Sequence, residues 1–162
     1  QRSPLPTGAE TARCFVSGTA RPGLNEVRSP QERRPTRAHP TDAGLDLAAS
    51  ETTHIAPGVV TLVPTGVAVA IPEGHVGILA ARSSLAVKKA MTLANGVGII
   101  DSDYRGEIKI PIIPLDGCHN LIQAGQKIAQ LIILPIATPT VEVVADLDET
   151  TRNTGSFGST GH

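Results

Sequence analysis

Aromatic residues are scarce in this sequence, at 2% of its 162 residues. The core must therefore be built from Val, Ile, Leu and Ala, which leaves the three aromatics, Phe15, Tyr104 and Phe157, free for specific contacts. Gly and Pro together number 29 (16 plus 13). A chain that turns this often favours many short strands over a helical bundle.

Cysteine is also scarce. The two cysteines, Cys14 and Cys118, cannot build a disulfide framework, which predicts a reducing compartment. No apolar run approaches the ~18 residues of a membrane span, and the N-terminus lacks the basic-then-apolar layout of a secretory signal. We therefore expect a cytoplasmic location, with the nucleus as an alternative in a eukaryotic or viral source, and no membrane partner.

An excess of positive charge is missing from most of the chain. Residues 1–38 hold seven of the 14 basic residues and three of the 15 acidic ones, so residues 39–162 carry seven basic against twelve acidic, a net charge of −5. An acidic body argues against stable nucleic-acid binding, which needs a basic surface.

The organisation predicted from these patterns is one β domain between two extensions. Residues 1–37 are Pro- and Arg-rich and are predicted to be a disordered extension, with a short strand at 12–16 as an alternative. The β domain covers 38–150, and residues 151–162 form a mobile Gly/Ser-rich lid. Strands are predicted at 44–49, 59–63, 67–71, 76–79, 108–113, 127–136 and 140–144.

This regular spacing indicates an all-β sandwich, jelly roll or barrel. Pro111 and Pro114 fall inside an Ile-rich run and predict an edge strand or a bulge. One short helix is predicted at 84–93, capped by Ser83 or Ser84.

The five histidines are scattered without metal-ligand spacing, and the sequence contains no P-loop and no Gly-x-Ser-x-Gly elbow.

Five polar clusters interrupt the predicted strands. They are Ala43 to Leu47, Arg82-Ser83-Ser84, Asn95 to Glu107, Gly125 to Leu131, and Arg152 to Gly161.

The clusters together have the chemistry of a phosphate site. Arg82 beside a Ser-bearing helix start supplies a guanidinium and hydroxyls for phosphate oxygens. Asp46, Asp101 and Asp103 offer the hard oxygens that Mg²⁺ prefers, since Mg²⁺ also keeps several waters and binds substrate phosphates.

The C-terminal cluster adds two further functions. Arg152, in a Gly-rich segment, has the features of an arginine finger, which contributes about 10³–10⁵ in rate to phosphoryl transfer. Phe157 stands between small residues, where it can stack on a base and contribute about 1–3 kcal/mol.

In this order and spacing, the five clusters resemble the five motifs of the homotrimeric dUTPase family over residues 36–161. The resemblance implies a jelly-roll-like β fold (β-clip) and Mg²⁺-assisted hydrolysis of dUTP to dUMP and pyrophosphate. It also implies a homotrimer with shared active sites. The sequence departs from the family pattern at Ala81, Ala90 and Asn153, where Pro or Gly is usual at the first position and Gly at the other two.

The resemblance also implies a role for each matching residue. Asp101 activates the attacking water, and Asp46 holds Mg²⁺ through water. Tyr104 lies under the deoxyribose and leaves no room for a 2′-hydroxyl. Asn95 reads the uracil edge with the backbone of Gly98, Ile99 and Ile100. The phosphates and the rest of the substrate are contacted by Arg82, Ser83, Ser84, Lys109 and Gln130, and by Arg152, Phe157 and Gly158 of a neighbouring subunit.

Two alternatives stay open at the level of sequence. A dCTP deaminase, alone or combined with dUTPase activity, shares the fold, and ammonia release from dCTP would distinguish it. A regulatory protein could keep the nucleotide site as a switch and use the N-terminal extension as a docking arm. Loss of activity in Asp101→Asn, with nucleotide binding kept, would favour catalysis as the main role.

Overall fold

The structure is a computed structural model, and it describes residues 26–30 and 33–150. Along these residues the β-branched and Leu-rich runs form short strands that end at Gly, Pro and polar turns, as expected for such sequence. The elements are β1 (Glu26–Arg28), β2 (Leu45–Ala48), β3 (Thr53–Ile55), β4 (Thr61–Pro64), β5 (Ala68–Ala70), β6 (His75–Ala81), α1 (Ser83–Lys89), β7 (Met91–Leu93), β8 (Gly98–Ile100), β9 (Lys109–Pro114), β10 (Asn120–Ile122) and β11 (Lys127–Pro135).

The strands form four small antiparallel sheets around one apolar core. Their orders are β1-β5, β3-β10, β2-β11-β6-β8 and β4-β9-β7. The core consists mainly of Ile, Leu and Val, with one methionine and no aromatic residue. The predicted all-β fold with one short helix is confirmed, and the core has the composition that the scarcity of aromatics required.

The helix is shorter than the predicted 84–93. It spans Ser83–Lys89, its N-cap is Arg82 rather than a serine, and no side chain caps its start. Ala90 ends it in the left-handed conformation (φ 45°), and its N–H donates to the carbonyl of Ala86. Residues 91–93 then form β7, because Met91 and Leu93 are both buried on the side of β7 that faces the core. The apolar pattern after residue 90 therefore has the period of a strand.

The left-handed Ala90 gives a first testable prediction. A non-glycine residue in this region costs about 1–2 kcal/mol, partly offset by the chain entropy that glycine adds to the unfolded state. We expect Ala90→Gly to raise the free energy of unfolding by about 1 kcal/mol, measured by urea denaturation at fixed protein concentration. Ala86→Gly, in the exposed middle of the same helix, should instead lower it by about 1 kcal/mol. A loss of stability in Ala90→Gly would contradict the prediction.

The edge strand predicted from Pro111 and Pro114 is wrong. β9 lies between β4 and β7, and it pairs with both. The sheet accommodates the prolines because each lies where one ladder ends. The Pro111 carbonyl accepts from Ala94 N–H at 2.8 Å just past β7, and Pro114 lies two residues beyond Ile112, the last partner of β4. The missing N–H groups therefore cost few ladder bonds.

Both ends of the described chain differ from expectation. Part of the predicted extension is ordered, because Glu26–Arg28 pairs with β5 and Thr36 bridges to Asp46. The predicted strand at 140–144 is absent from the structure, where residues 136–150 form neither strand nor helix. Val141 and Val143 are 86% and 94% exposed. Their alternating pattern has no partner strand within the described residues. The alternative strand at 12–16 lies outside the described residues.

In the part of the chain that the structure describes, no helix is long and apolar enough to cross a membrane.

Candidate functional site

A largely buried carboxylate on β2 is paired with a cation on β11 and with the cation that follows β6. Asp46, on β2, has a side chain that is only 11% exposed, and both of its oxygens are paired with cations. Oδ1 lies 3.2 Å from Nε of Arg82, which directly follows β6, and Oδ2 lies 2.9 Å from Nζ of Lys127 on β11. Gln130 is the cross-strand partner of Asp46. We refer to Asp46, Arg82, Lys127 and Gln130 as the Asp46 cluster.

A β-bulge builds this cluster. In a regular strand, residues three apart point to opposite faces, so Lys127 and Gln130 would be separated. The register between β2 and β11 shifts between Lys127 and Ala129, and the consecutive residues Ile128 and Ala129 are both fully buried. The extra residue therefore returns Lys127 to the face that carries Gln130.

Sequence reasoning missed Lys127 as a member of the site. Strict alternation counted from Gln130 assigns Lys127 to the opposite face. The one signal available in the sequence is the pair of adjacent apolar residues, Ile128 and Ala129, next to two polar ones.

Glycine at position 44 makes room for Gln130. A Cβ added to Gly44 would lie 2.6 Å from Oε1 and 3.0 Å from Cβ of Gln130. Any side chain at this position would therefore displace Gln130 from beside Asp46. The candidate turn residue Gly44 thus has a packing role in the cluster.

Arg82, Ser83 and Ser84 are held at the start of α1. The Arg82 N–H donates to the carbonyl of Ile128 at 3.1 Å, which ties the residue to β11 next to the bulge. Its Nε is used by Asp46, and its two terminal nitrogens have no partner among the described residues. Ser83 and Ser84 are the first two helical residues. The arrangement leaves the terminal guanidinium nitrogens of Arg82 available to a ligand.

A second site lies at the hairpin that follows β8. A cavity of about 460 Å³ is lined by six residues, which we call the Tyr104 pocket: Leu62, Ile100, Tyr104, Glu107, Ile108 and Lys109. Of these, Ile100, Tyr104 and Lys109 were predicted from the sequence. Leu62, Glu107 and Ile108 were missed, because their residue types on a strand read as ordinary packing or surface positions.

The ring of Tyr104 is folded back over Gly106. Its hydroxyl donates to the carbonyl of Glu107 at 3.0 Å, and its backbone N–H donates to the carbonyl of Asp101 at 3.2 Å. A Cβ on Gly106 would lie 2.6 Å from Cζ and 3.0 Å from Cε2 of the ring. The ring can hold this position only because residue 106 has no side chain.

A buried threonine supports the floor of the pocket. Thr65 is fully buried, and its hydroxyl donates to the carbonyl of Ile108 at 2.6 Å and accepts from the N–H of Val67 at 3.2 Å. Next to it, the N–H of Gly66 donates to Oε1 of Glu107 at 2.7 Å. These bonds hold the Ile108 carbonyl and the Glu107 carboxylate, and both residues line the pocket.

We expect Thr65→Val to lower the free energy of unfolding by about 1–3 kcal/mol, because it keeps the shape but leaves a buried carbonyl and a buried N–H unpaired. Thr65→Ser keeps the hydroxyl and should cost less than Thr65→Val. Urea denaturation at one protein concentration measures both. A larger loss in Thr65→Ser than in Thr65→Val would show that the methyl group contributes more to the stability than the hydroxyl.

The remaining predicted residues lie at either end of β8. Asn95 is exposed in the turn that precedes it, and Asp101 is exposed directly after it. Between them, Gly98 pairs with Leu79 and Ile100 pairs with Gly77 on β6, while Ile99 is 59% exposed. A Cβ on Gly98 would lie 2.9 Å from that of Leu79, so this position also requires glycine.

The Asp46 cluster and Asp101 are far apart within one chain. Arg82 follows the last residue of β6, whereas Asp101 follows Ile100, which pairs with Gly77 near the first residue of β6. At about 3.3 Å per strand residue, the two positions are separated by roughly 15–20 Å. The described chain thus brings together Asp46, Arg82 and Gln130, and separately Ile100, Tyr104 and Lys109, but not the two sets.

No group of three or more His, Cys, Asp or Glu side chains that could hold a metal occurs within residues 26–30 and 33–150. A Mg²⁺ ion fits Asp46 only through water, since both carboxylate oxygens are paired with cations. Such an ion would bind mainly to ligand phosphates, as Mg²⁺ usually does. Arg152, Phe157 and Gly158 lie outside the described residues.

The chain is similar to known proteins over most of its length. The family model described as dUTPase matches residues 31–161. A deoxyuridine 5′-triphosphate nucleotidohydrolase of Rhodococcus erythropolis is 46% identical over 128 residues, which cover 78% of this chain and 78% of that protein.

Two solved structures resemble the fold. One is the G164S mutant dUTPase of Staphylococcus bacteriophage 80alpha with dUpNHpp. It has a TM-score of 0.75 and 32% identity, and the match covers 84% of this chain and 97% of that one. The other is the D95N mutant dUTPase of Staphylococcus aureus phage phi11, described with a structural Mg(II) ion. It has a TM-score of 0.66 and 32% identity, with 74% and 95% covered.

Proposed function

This chain belongs to the dUTPase family, and from that membership we propose that it hydrolyses dUTP to dUMP and pyrophosphate by attack of an activated water on the α-phosphorus. The observation that carries the proposal is the Asp46 cluster. It presents the Arg82 guanidinium and the Gln130 amide beside the start of α1, where Ser83 and Ser84 are the first two helical residues, and such donors are what a triphosphate requires.

Asp101 is the general base in this proposal. A carboxylate directly after β8, exposed to solvent, can hold a water by hydrogen bond and accept its proton as the water attacks. The backbone N–H of Tyr104 donates to the Asp101 carbonyl, which fixes the backbone of this turn. The proton passes to the Asp101 carboxylate, the new P–O bond forms, and the bond from the α-phosphorus to the bridging oxygen breaks.

The residues that contact the phosphates stabilise the negative charge that builds on the leaving pyrophosphate. Arg82 supplies its terminal nitrogens, and Ser83, Ser84 and Gln130 supply neutral donors. Bound Mg²⁺ would add charge neutralisation on the phosphates, with Asp46 accepting hydrogen bonds from its waters.

Recognition of the base and the sugar falls to the hairpin around β8. Asn95 and the backbone of Gly98, Ile99 and Ile100 read the uracil edge. A mismatched exocyclic group would leave buried polar atoms unpaired, which can reject a ligand by about 10⁴–10⁵. Tyr104, over Gly106, lies against the deoxyribose and excludes a 2′-hydroxyl, and Lys109 lines the same pocket.

The active site is shared between copies of the chain in a homotrimer. The separation of roughly 15–20 Å between Asp101 and Arg82 supports this, because both must act on one triphosphate. One copy supplies the Asp46 cluster and another the Tyr104 pocket. Arg152, Phe157 and Gly158 of a further copy close over the nucleotide, with Arg152 on the phosphates and Phe157 on the base.

In the cell, this activity limits uracil incorporation into DNA and supplies dUMP for thymidylate synthesis. We propose a reducing, cytoplasmic location for it. An exposed free thiol at Cys118 is compatible with such a compartment.

The test is pyrophosphate release from dUTP, dCTP, dTTP and UTP with Mg²⁺, with ammonia release from dCTP measured in parallel. Turnover of dUTP alone supports the proposal. Ammonia from dCTP would favour a deaminase of the same fold. A folded protein that binds dUTP without turnover would be a nucleotide-sensing protein instead.

A further inference from the structure

We propose that Lys127 is a positioning residue of the active site: through Asp46 it fixes the plane of the Arg82 guanidinium on the triphosphate. The inference rests on the proposed function and adds to it a residue that acts without contacting the substrate. It depends on the contacts of the Asp46 carboxylate and on the bulge that brings Lys127 to it.

Each oxygen of the Asp46 carboxylate is paired with a different cation. One oxygen forms an ion pair with Arg82, 3.2 Å from its Nε, and the other forms an ion pair with Lys127, 2.9 Å from its Nζ. A guanidinium is a rigid planar fork, so a bond to Nε fixes the direction of both terminal nitrogens. Those two nitrogens are the ones that have no partner among the described residues.

Lys127 restricts the rotation of the Asp46 carboxylate. The terminal torsion of an aspartate is broad and roughly two-fold, so a single cation on one oxygen leaves the carboxylate free to turn. Lys127 holds the second oxygen and removes that freedom. Because Asp46 is 11% exposed, little water is available to take the place of the ammonium.

A bulge in β11 brings Lys127 to Asp46. The bulge at Ile128 shifts the register between β2 and β11 and buries two consecutive residues, Ile128 and Ala129. Its consequence is that Lys127, Gln130 and Asp46 share one face. The same bulge places the Ile128 carbonyl where it accepts from Arg82 N–H at 3.1 Å. One irregularity therefore anchors Arg82 at both its backbone and its side chain.

If Lys127 had only a structural role, its replacement would lower the stability of the protein and leave kcat of the folded enzyme unchanged. The Lys127 side chain is 43% exposed, and ion pairs at such exposure contribute little to stability. Lys127→Met leaves Asp46 paired with Arg82, and a melting curve of the variant checks that it is folded at the temperature of the kinetic assays. The kinetics of a folded variant can be interpreted.

The experiment is a double-mutant cycle on kcat and KM for dUTP, with pyrophosphate release measured under single-turnover conditions for the slow variants. The variants are Lys127→Met, Arg82→Met and the double substitution. Lys127→Met should lower kcat by about 10–30-fold with KM changed less than about 3-fold, because a misaligned guanidinium is lost mainly from the transition state. In the Arg82→Met background, the same change should cost less than about 2-fold.

Two further variants control the cycle. Lys127→Arg keeps the charge and a donor, and it should restore kcat to within about 3-fold of wild type. Lys88→Met makes the same change of charge on the exposed face of α1 and should leave kcat unchanged. Equal losses from Lys127→Met in both Arg82 backgrounds would overturn the proposal, because they would show that Lys127 acts directly on the phosphates.

An unchanged kcat in Lys127→Met, or no rescue by arginine, would also overturn it. In each of these outcomes the wild-type protein still turns over dUTP. If the proposed function itself were wrong, the wild-type protein would release no pyrophosphate from dUTP, so the two failures can be distinguished.

Discussion

Replacing Asp101 by asparagine should reduce kcat for dUTP by about 10²–10⁴-fold, the contribution of a positioned general base. Asparagine keeps the size of the side chain and its ability to hold a water, but it cannot accept the proton. Because the substitution keeps the size of the side chain and its hydrogen-bonding capacity, nucleotide affinity should stay within a few-fold of wild type. Pyrophosphate release and calorimetric titration with a non-hydrolysable dUTP analogue measure the two quantities.

Asp116→Asn is the matched control for this change. Asp116 is also an exposed loop aspartate, and its side chain contacts only the backbone N–H of Cys118 among the bonds described. It should turn over dUTP at the wild-type rate. Retained turnover in Asp101→Asn would remove Asp101 as the base, and lost nucleotide binding would make it a binding residue rather than a catalytic one.

Replacing Gly106 by alanine should lower kcat/KM for dUTP by about 10²-fold and reduce the preference for dUTP over UTP. The added Cβ would lie 2.6 Å from Cζ of Tyr104, so the ring must leave its place over residue 106. A misplacement of about 1 Å in a substrate-positioning group can cost about 10²-fold in rate. The displaced ring also opens the space that a 2′-hydroxyl needs. Steady-state kinetics with both nucleotides gives the ratio.

Stability should be nearly unchanged in Gly106→Ala. Gly106 does not have a positive φ, and the group that must move is the end of a side chain that is 44% exposed. Ser102→Ala, in the same hairpin, adds no bulk near the ring and should keep wild-type kinetics. A fall in dUTP turnover with an unaltered dUTP-to-UTP ratio would show that Tyr104 does not set the sugar preference.

Most of the strands that the sequence predicted correctly have a mainly apolar run of four or more residues. Residues 127–136 predicted β11 almost to the residue, and 44–49 enclosed β2, because both runs are apolar enough to be buried and end at turn residues. The three-residue strands β3, β7 and β10 were not predicted as strands. Such short segments carry little pattern of their own and depend on partners distant in sequence, as Thr53–Ile55 does on Asn120–Ile122.

The candidate site divides in the same way. Asp46, Arg82 and Gln130 were identified from local motifs, and the structure brings them together on neighbouring strands. Lys127 and Glu107 were missed. Their roles come from contacts with residues far along the chain, Asp46 in one case and Gly66 in the other.

The sequence by itself determined the kind of fold and predicted the chemistry. Alternating Val, Ile and Leu with frequent Gly and Pro allow few folds besides a β domain, and five short motifs carry acidic, basic and amide groups that predict a phosphate site. Three features were decided by the tertiary structure alone. They are the bulge that sets which face of β11 each side chain occupies, the strand β7 after Ala90, and the position of Pro111 in a strand paired on both sides. Each depends on which strand lies alongside, and pairing between strands is a long-range interaction that local pattern does not encode.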